Sequence, residues 1–182
     1  MIGISENTRQ RLKSLIRSVP DFPKQGIVFR DITPLLADPE GLRLAIKAMV
    51  EPFRHEIIDL VVGAESRGFI FGSAVARELN CGFIPVRKLG KLPAKVIALE
   101  YELEYGTDRL EMHEDDIQSG QKILMVDDLL ATGGTMKACC QLVEKLGGAI
   151  VGCSFLIELA FLPGRAVLSG YQVQSVISYD SE

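Results

Sequence analysis

Histidine and cysteine are scarce in this chain, two and four among 182 residues. None of Cys81, Cys139, Cys140 and Cys153 forms a CxxC pair. Structural zinc sites draw on Cys and His at tight spacing, so the pattern speaks against one. Neighbouring Cys139 and Cys140 are badly placed for a useful disulfide, and four reduced thiols in a cytoplasmic protein are expected. No apolar run approaches the ~18 residues of a membrane-spanning helix. The opening MIGISENTRQRLKSLIRSV is too polar for a secretory signal. Its weakly basic amphipathic pattern suits a packed helix better than a membrane-surface one. An excess of positive charge is missing too: 20 Lys+Arg stand against 24 Asp+Glu, a net charge of -4. Proteins that coat nucleic acid neutralise phosphates with a cationic face. Nucleic acid and membrane are therefore not expected partners, whereas a small phosphorylated metabolite is compatible. Hydrophobic residues make up 47%, enough apolar surface to order a core and exclude disorder. No repeat or linker-like stretch appears, so one domain spanning 1–182 is expected.

Helical spacing of Leu12, Leu15, Ile16 and Val19 predicts a helix from Thr8 to Val19, stopped by Pro20. A second helix is predicted from Pro39 to Phe53. Short apolar runs at Ile57 to Gly63, Gly82 to Val86, Gln121 to Val126, Ala149 to Leu156 and Tyr171 to Ile177 read as buried strands. Helices ending near Asn80, and from Met136 to Leu146 before Gly147 and Gly148, lie between them. Alternating short strands and helices indicate an α/β fold with a parallel sheet covered on both faces. Ligands of such sheets sit beyond the carboxyl ends of the strands. The stretch from Arg87 to Gln118 fits neither period well. Alternation through Tyr105 suits a two-stranded ribbon from Val96 to Tyr105, turning near Gly106 and returning through Arg109 to Met112. A charged excursion of this kind is usually a functional lid or a partner surface; a solvent-exposed hairpin without chemistry is the alternative.

Residues 126 to 135 read VDDLLATGGT. A strand delivers two carboxylates at its end, and a small-residue turn then opens a helix. Backbone N–H groups of Ala131 to Thr135, the hydroxyls of Thr132 and Thr135 and the helix N-terminus make an anion cradle. Gly133 and Gly134 permit positive φ and close approach of an oxyanion. The motif is neither a Walker loop nor a dinucleotide fingerprint. Paired acids beside the cradle repel a polyphosphate but suit hydroxyls, so a sugar phosphate fits. The plainer alternative is a capped helix after an acidic turn.

VDDLLATGGT resembles the phosphoribosyl-pyrophosphate (PRPP) motif of the type I phosphoribosyltransferases, in a variant similar to that of their adenine-using members. PDFPKQGIVFRDITPLLADP (20–39) resembles the N-terminal hood of those enzymes and ESRGFIFG (65–72) their pyrophosphate loop. RKLGKLP, from Arg87, resembles the entry to their catalytic loop, and LEYG, ending at Gly106, the carboxylate within it. Four motifs in order cover nearly the whole chain.

The resemblance implies the type I phosphoribosyltransferase fold: a central parallel sheet flanked by helices, a hood over about 1–38 and a flexible catalytic ribbon over about 87–113. It implies transfer of the 5-phosphoribosyl group from PRPP to N9 of adenine, giving AMP and pyrophosphate in purine salvage, with Mg²⁺ held mainly by PRPP, in a homodimer. Position by position, Asp127 and Asp128 are implied to hold the ribose hydroxyls. Ala131, Thr132, Gly133, Gly134 and Thr135 are implied to hold the 5′-phosphate. Arg67, beside an often cis Ser66 peptide, is implied to bind pyrophosphate and assist catalysis, with Arg87, Lys88 and Lys91 adding cationic contacts. Phe29 is implied to stack on adenine while the backbone of Val28 and Arg30 reads its edge. Leu159 is implied to wall the base pocket, and Glu104 to contact N7 and relay a proton. Plain readings stay open: Phe29 and Leu159 as core, Glu104 as one of three alternating surface carboxylates, the cations as a solvated loop. Phe161 to Gln174 matches no role. A 6-oxopurine enzyme of the family and a non-catalytic PRPP-sensing regulator are the alternatives. The N-terminal FRDITP hood speaks against the first, and the negative net charge against the second.

Overall fold

In a computed structural model, which describes residues 4–103 and 106–181, the chain begins with helix α1 (Glu6–Ser14). The Ser5 side chain caps it by accepting the Thr8 backbone N–H at 3.2 Å, one of the donors that a helix start leaves unpaired. The helix is shorter than its apolar spacing predicts. Residues Arg17–Val19 form instead a strand, β1, paired antiparallel with β2 (Phe29–Asp31). Short α2 (Thr33–Ala37) follows, then α3 (Pro39–Val50), which runs on through a turn of 3₁₀ helix to Phe53. Neither β2 nor α2 carries a period long enough to announce itself.

The body of the molecule is built on β3 (Leu60–Ala64), α4 (Gly68–Leu79) and β4 (Gly82–Lys88). After β5 (Val96–Leu103) and β6 (Gly106–His113) come β7 (Lys122–Leu130) and α5 (Gly134–Lys145), then β8 (Ala149–Leu159), α6 (Gly164–Val167) and β9 (Val173–Tyr179). Seven strands form one sheet in the order β5-β6-β4-β3-β7-β8-β9. Strands β4, β3, β7, β8 and β9 are mutually parallel. The ribbon β5–β6 is no free-standing excursion. Its return strand pairs antiparallel with β4, Arg87 opposite Glu111 and Lys88 opposite Leu110. The central strands are parallel as expected, and the antiparallel ribbon joins them at that edge instead of standing outside the sheet.

Successive residues of a strand face opposite sides, and the interior divides accordingly. Leu124 and Val126 of β7 point to the layer of α1, α3 and α4, with Phe53, Phe71 and Leu156. Ile123 and Met125 point to the layer of α5, with Cys139, Cys140, Cys153 and Phe155. All four cysteines are free. Asn80 closes α4 in the left-handed region (φ 57). Among the described residues no helix is long and apolar enough to cross a membrane.

Candidate active site

Because β3, β4 and β7 run parallel, their carboxyl ends meet at one rim of the sheet, and there a cleft of about 530 Å³ opens. The turn from β3 into α4 contributes Glu65, Ser66 and Arg67, and the end of β4 contributes Lys88. Asp127 and Asp128 come from the last residues of β7, which extends four residues beyond the predicted strand. Ala131, Thr132, Gly133 and Thr135 complete the wall, and Gly134 is the first residue of α5.

The peptide between Glu65 and Ser66 is cis. The Glu65 carboxylate accepts the Lys88 backbone N–H at 2.9 Å and the Arg87 Nε–H at 3.0 Å. The first of these, more than the second, holds Glu65 below the usual carboxylate range against the opposing effect of burial. Arg87 thereby ties the β3–α4 turn to β4 and does not line the cleft.

Arg67 faces the paired acids. Its Nε lies 2.8 Å from Asp128 Oδ2, and Asp128 is only 4% exposed. The Asp127 carboxylate accepts the Asp128 backbone N–H at 2.9 Å. Burial, then the neighbouring Asp128 charge, pushes Asp127 well above its ordinary range. Burial raises Asp128 as well, and Arg67 opposes it. The two enclosed carboxylates have one guanidinium and one backbone N–H as donors, and their oxygens can accept more. Hydroxyl groups of a ribose would supply further donors. Gly68 lets the start of α4 pack against these acids, since a Cβ there would stand 2.8 Å from Asp127 Oδ1. Among the described residues no three His, Cys, Asp or Glu side chains converge as a metal-ligating group.

At the other end of the cleft Gly133 takes a left-handed conformation (φ 84) and starts α5, whose free N–H groups face the cradle. The hydroxyls of Thr135 and Tyr101 lie 3.4 Å apart. Tyr101 reaches Asp108 at 3.5 Å, and Asp108 pairs with the Lys88 ammonium at 3.3 Å. The ribbon is therefore joined to both ends of the cleft through residues that its alternating pattern did not distinguish.

The hood approaches from the side. Arg67 stands with its guanidinium 5.4 Å from the Phe29 ring centre, and Phe22 meets the same ring edge-on at 5.3 Å. Val28 is partly buried beside it. The Arg30 side chain is occupied elsewhere, stacked 3.9 Å over the Tyr179 ring and donating to Ser18. Leu159 ends β8 and packs against the α1–α3–α4 core. Lys91 is exposed beyond the cleft wall. Glu104 lies outside the described residues.

Comparison with known proteins agrees with this geometry. The family model described as the phosphoribosyl transferase domain matches residues 31–165. The adenine phosphoribosyltransferase of Brachyspira hyodysenteriae is 58% identical over 168 residues, 92% of this chain and 99% of that protein. The crystal structure of the Rhodothermus marinus adenine phosphoribosyltransferase superposes with a TM-score of 0.92 at 53% identity, covering 96% of this chain and 100% of that one. The Saccharomyces cerevisiae enzyme, crystallised with D-2,5-dideoxy-2,5-imino-altritol 1,6-bisphosphate and adenine, gives 0.89 at 39% identity over 94% of this chain and 99% of its own. Similarity of this depth, spread over the hood, the cleft and the sheet alike, means that the chain belongs to the adenine phosphoribosyltransferases of the phosphoribosyl transferase domain family.

Proposed function

We propose that the cleft carries out adenine salvage: the 5-phosphoribosyl group of PRPP passes to N9 of adenine, giving AMP and pyrophosphate. One observation carries this reading. Arg67, the Asp127–Asp128 pair and the Ala131–Thr135 loop line a single cleft, with the hood's Phe29 beside Arg67. The loop takes the 5′-phosphate on its backbone N–H groups and the hydroxyls of Thr132 and Thr135. Asp127 and Asp128 accept the ribose hydroxyls. Ser66 and Arg67 receive the diphosphate with Lys88, which exchanges Asp108 for it, while Arg87 and Lys91 add positive potential around the leaving group. Adenine stacks on Phe29. The backbone of Val28 and Arg30, whose side chain is held elsewhere, offers the donor and acceptor pattern that suits a 6-amino purine. Leu159 walls the base.

As the C1′–oxygen bond breaks, charge grows on the diphosphate and at C1′, and N9 attacks the opposite face. Arg67 neutralises the first charge from the position it already holds beside Asp128, and Lys88 adds to it once it has exchanged Asp108 for the diphosphate. Glu104 takes up the proton that adenine loses, directly or by way of N7. Closure of the ribbon excludes water, which would otherwise hydrolyse PRPP. Mg²⁺, held mainly by PRPP itself, would disperse the diphosphate charge when bound, with Asp127 and Asp128 left to the ribose hydroxyls. The free thiols suit the reducing cytoplasm, and the family resemblance supports a homodimer.

AMP formation from adenine, PRPP and Mg²⁺, run beside hypoxanthine, guanine and xanthine, tests the reading. Turnover with adenine alone is expected. Preference for a 6-oxo purine would overturn the base assignment, and no turnover with any base would favour a PRPP-sensing regulator.

A further inference from the structure

The segment from Phe161 to Gln174 matches no role implied by the family resemblance, yet it contains the short helix α6, which touches the Ala131–Gly133 loop from behind. A Cβ on Gly133 would stand 2.8 Å from the Gly164 carbonyl oxygen, and a Cβ on Gly164 would overlap the Ala131 carbonyl oxygen. Two backbones therefore meet without side chains between them. A loop that holds an anion through backbone N–H groups has no stiffness of its own, and here its rear support is residue 164.

Residue 164 is held by the turn of α6, its carbonyl accepting the Leu168 N–H at 3.1 Å, and by the side chain of its neighbour. The Arg165 guanidinium donates through Nε to Glu158 Oε1 at 2.8 Å and through Nη2 to Oε2. Its Nη1 donates to the Val173 carbonyl at 3.0 Å. The Ser175 hydroxyl donates to the same Glu158 carboxylate. Glu158, 6% exposed, lies on β8 directly opposite Leu130, the last residue of β7 before the loop. A two-pronged guanidinium–carboxylate pair sets direction as well as distance. The strand beside the loop thus dictates where α6 sits, and α6 dictates where the loop can go.

We propose that Arg165, held by Glu158 and Ser175, is a positioning residue for the 5′-phosphate of PRPP, acting through the Gly164 contact with the Ala131–Gly133 backbone. The proposal rests on the reading of that loop as the phosphate cradle. Arg165→Met keeps the aliphatic stem and removes the fork. Displacing a binding group by about 1 Å costs up to about 10²-fold, so KM for PRPP rises about 10- to 100-fold while KM for adenine stays within about twofold. Arg165→Lys keeps the charge and restores part of the loss; Ser175→Ala gives a smaller rise of the same kind. Gly164→Ala, with Arg165 intact, raises KM for PRPP as well.

Steady-state kinetics with both substrates varied, alongside circular dichroism to verify folding, decides it. Thr135→Val serves as the direct test of the cradle. If Thr135→Val raises KM for PRPP and neither Arg165→Met nor Ser175→Ala does, the support is not Arg165 and the proposal falls alone. If Thr135→Val leaves KM for PRPP unchanged, the cradle reading fails and takes the proposal with it. Equal rises in both KM values for Arg165→Met, or a lower Tm with both unchanged, mean a structural ion pair only.

Discussion

Asp127 is kept ionisable in a place that disfavours its charge, enclosed at the end of β7 beside Asp128. Its pKa in the folded protein lies above the ordinary 3.8. The sign follows from linkage: the folded state is best off below pH 3.8, where the acid is neutral in both states. That advantage is lost as the pH rises through the folded value. Asp127→Asn should therefore be more stable than the parent at neutral pH, with a higher Tm. The gain should vanish toward pH 3.8, and PRPP turnover should be largely lost throughout. Thermal melts across pH, set beside PRPP kinetics, check both halves; a less stable Asn variant would show that the carboxylate is structural. Glu104 is the complementary case, one of three glutamates at alternating positions. If its role is to accept a proton, Glu104→Gln lowers kcat about 10²–10⁴-fold with KM for PRPP nearly unchanged. Glu100→Gln and Glu102→Gln stay close to the parent. Equal small losses in all three would return Glu104 to the surface.

Elements meet at this site by close approach of backbones. Helix α4 begins beside Val126 and Asp127 of β7, and Gly68 is the point of contact, facing Asp127 Oδ1 and the Val126 carbonyl at 2.8 and 3.1 Å from any added Cβ. Gly63 of β3 meets the Gly68 carbonyl in the same way, at 2.9 Å. The Val126 carbonyl cannot rotate aside as a side chain does, and the Asp127 carboxylate is enclosed and would have to shift. Gly68→Ala should therefore destabilise the fold by about 1–3 kcal/mol, as urea denaturation would register. By displacing Asp127 it should also raise KM for PRPP by about tenfold or more. Unchanged PRPP kinetics would mean that the acids tolerate the shift. Much of this arrangement is legible from residue types. ESRG and DDLLATGGT each follow an apolar run, and strand-to-helix turns of a parallel sheet collect at one rim. Not legible is the end of the first helix: Arg17–Val19 continues the helical spacing, but pairing with Phe29–Asp31 outweighs it.

At the scale of the whole molecule, substrate and cation act together. Excess EDTA should abolish AMP formation and added Mg²⁺ restore it, because a diphosphate leaves poorly without a divalent cation; undiminished turnover in EDTA would overturn that dependence. Sedimentation should report twice the 20.0 kDa of the chain if the homodimer forms. The sequence by itself determined the chemistry. Apolar runs specify buried strands, paired acids before a small-residue turn carry the proposal of a diol and a phosphate, and neither depends on distant partners. Tertiary structure decided what those groups lean on. The ribbon joins the sheet beside β4, Arg87 turns to Glu65, and α6 backs the phosphate loop. Sequence patterns report period and side-chain chemistry over a few residues. Contacts such as Gly164 with Ala131 are made 33 residues apart and exist only once the strand order is set.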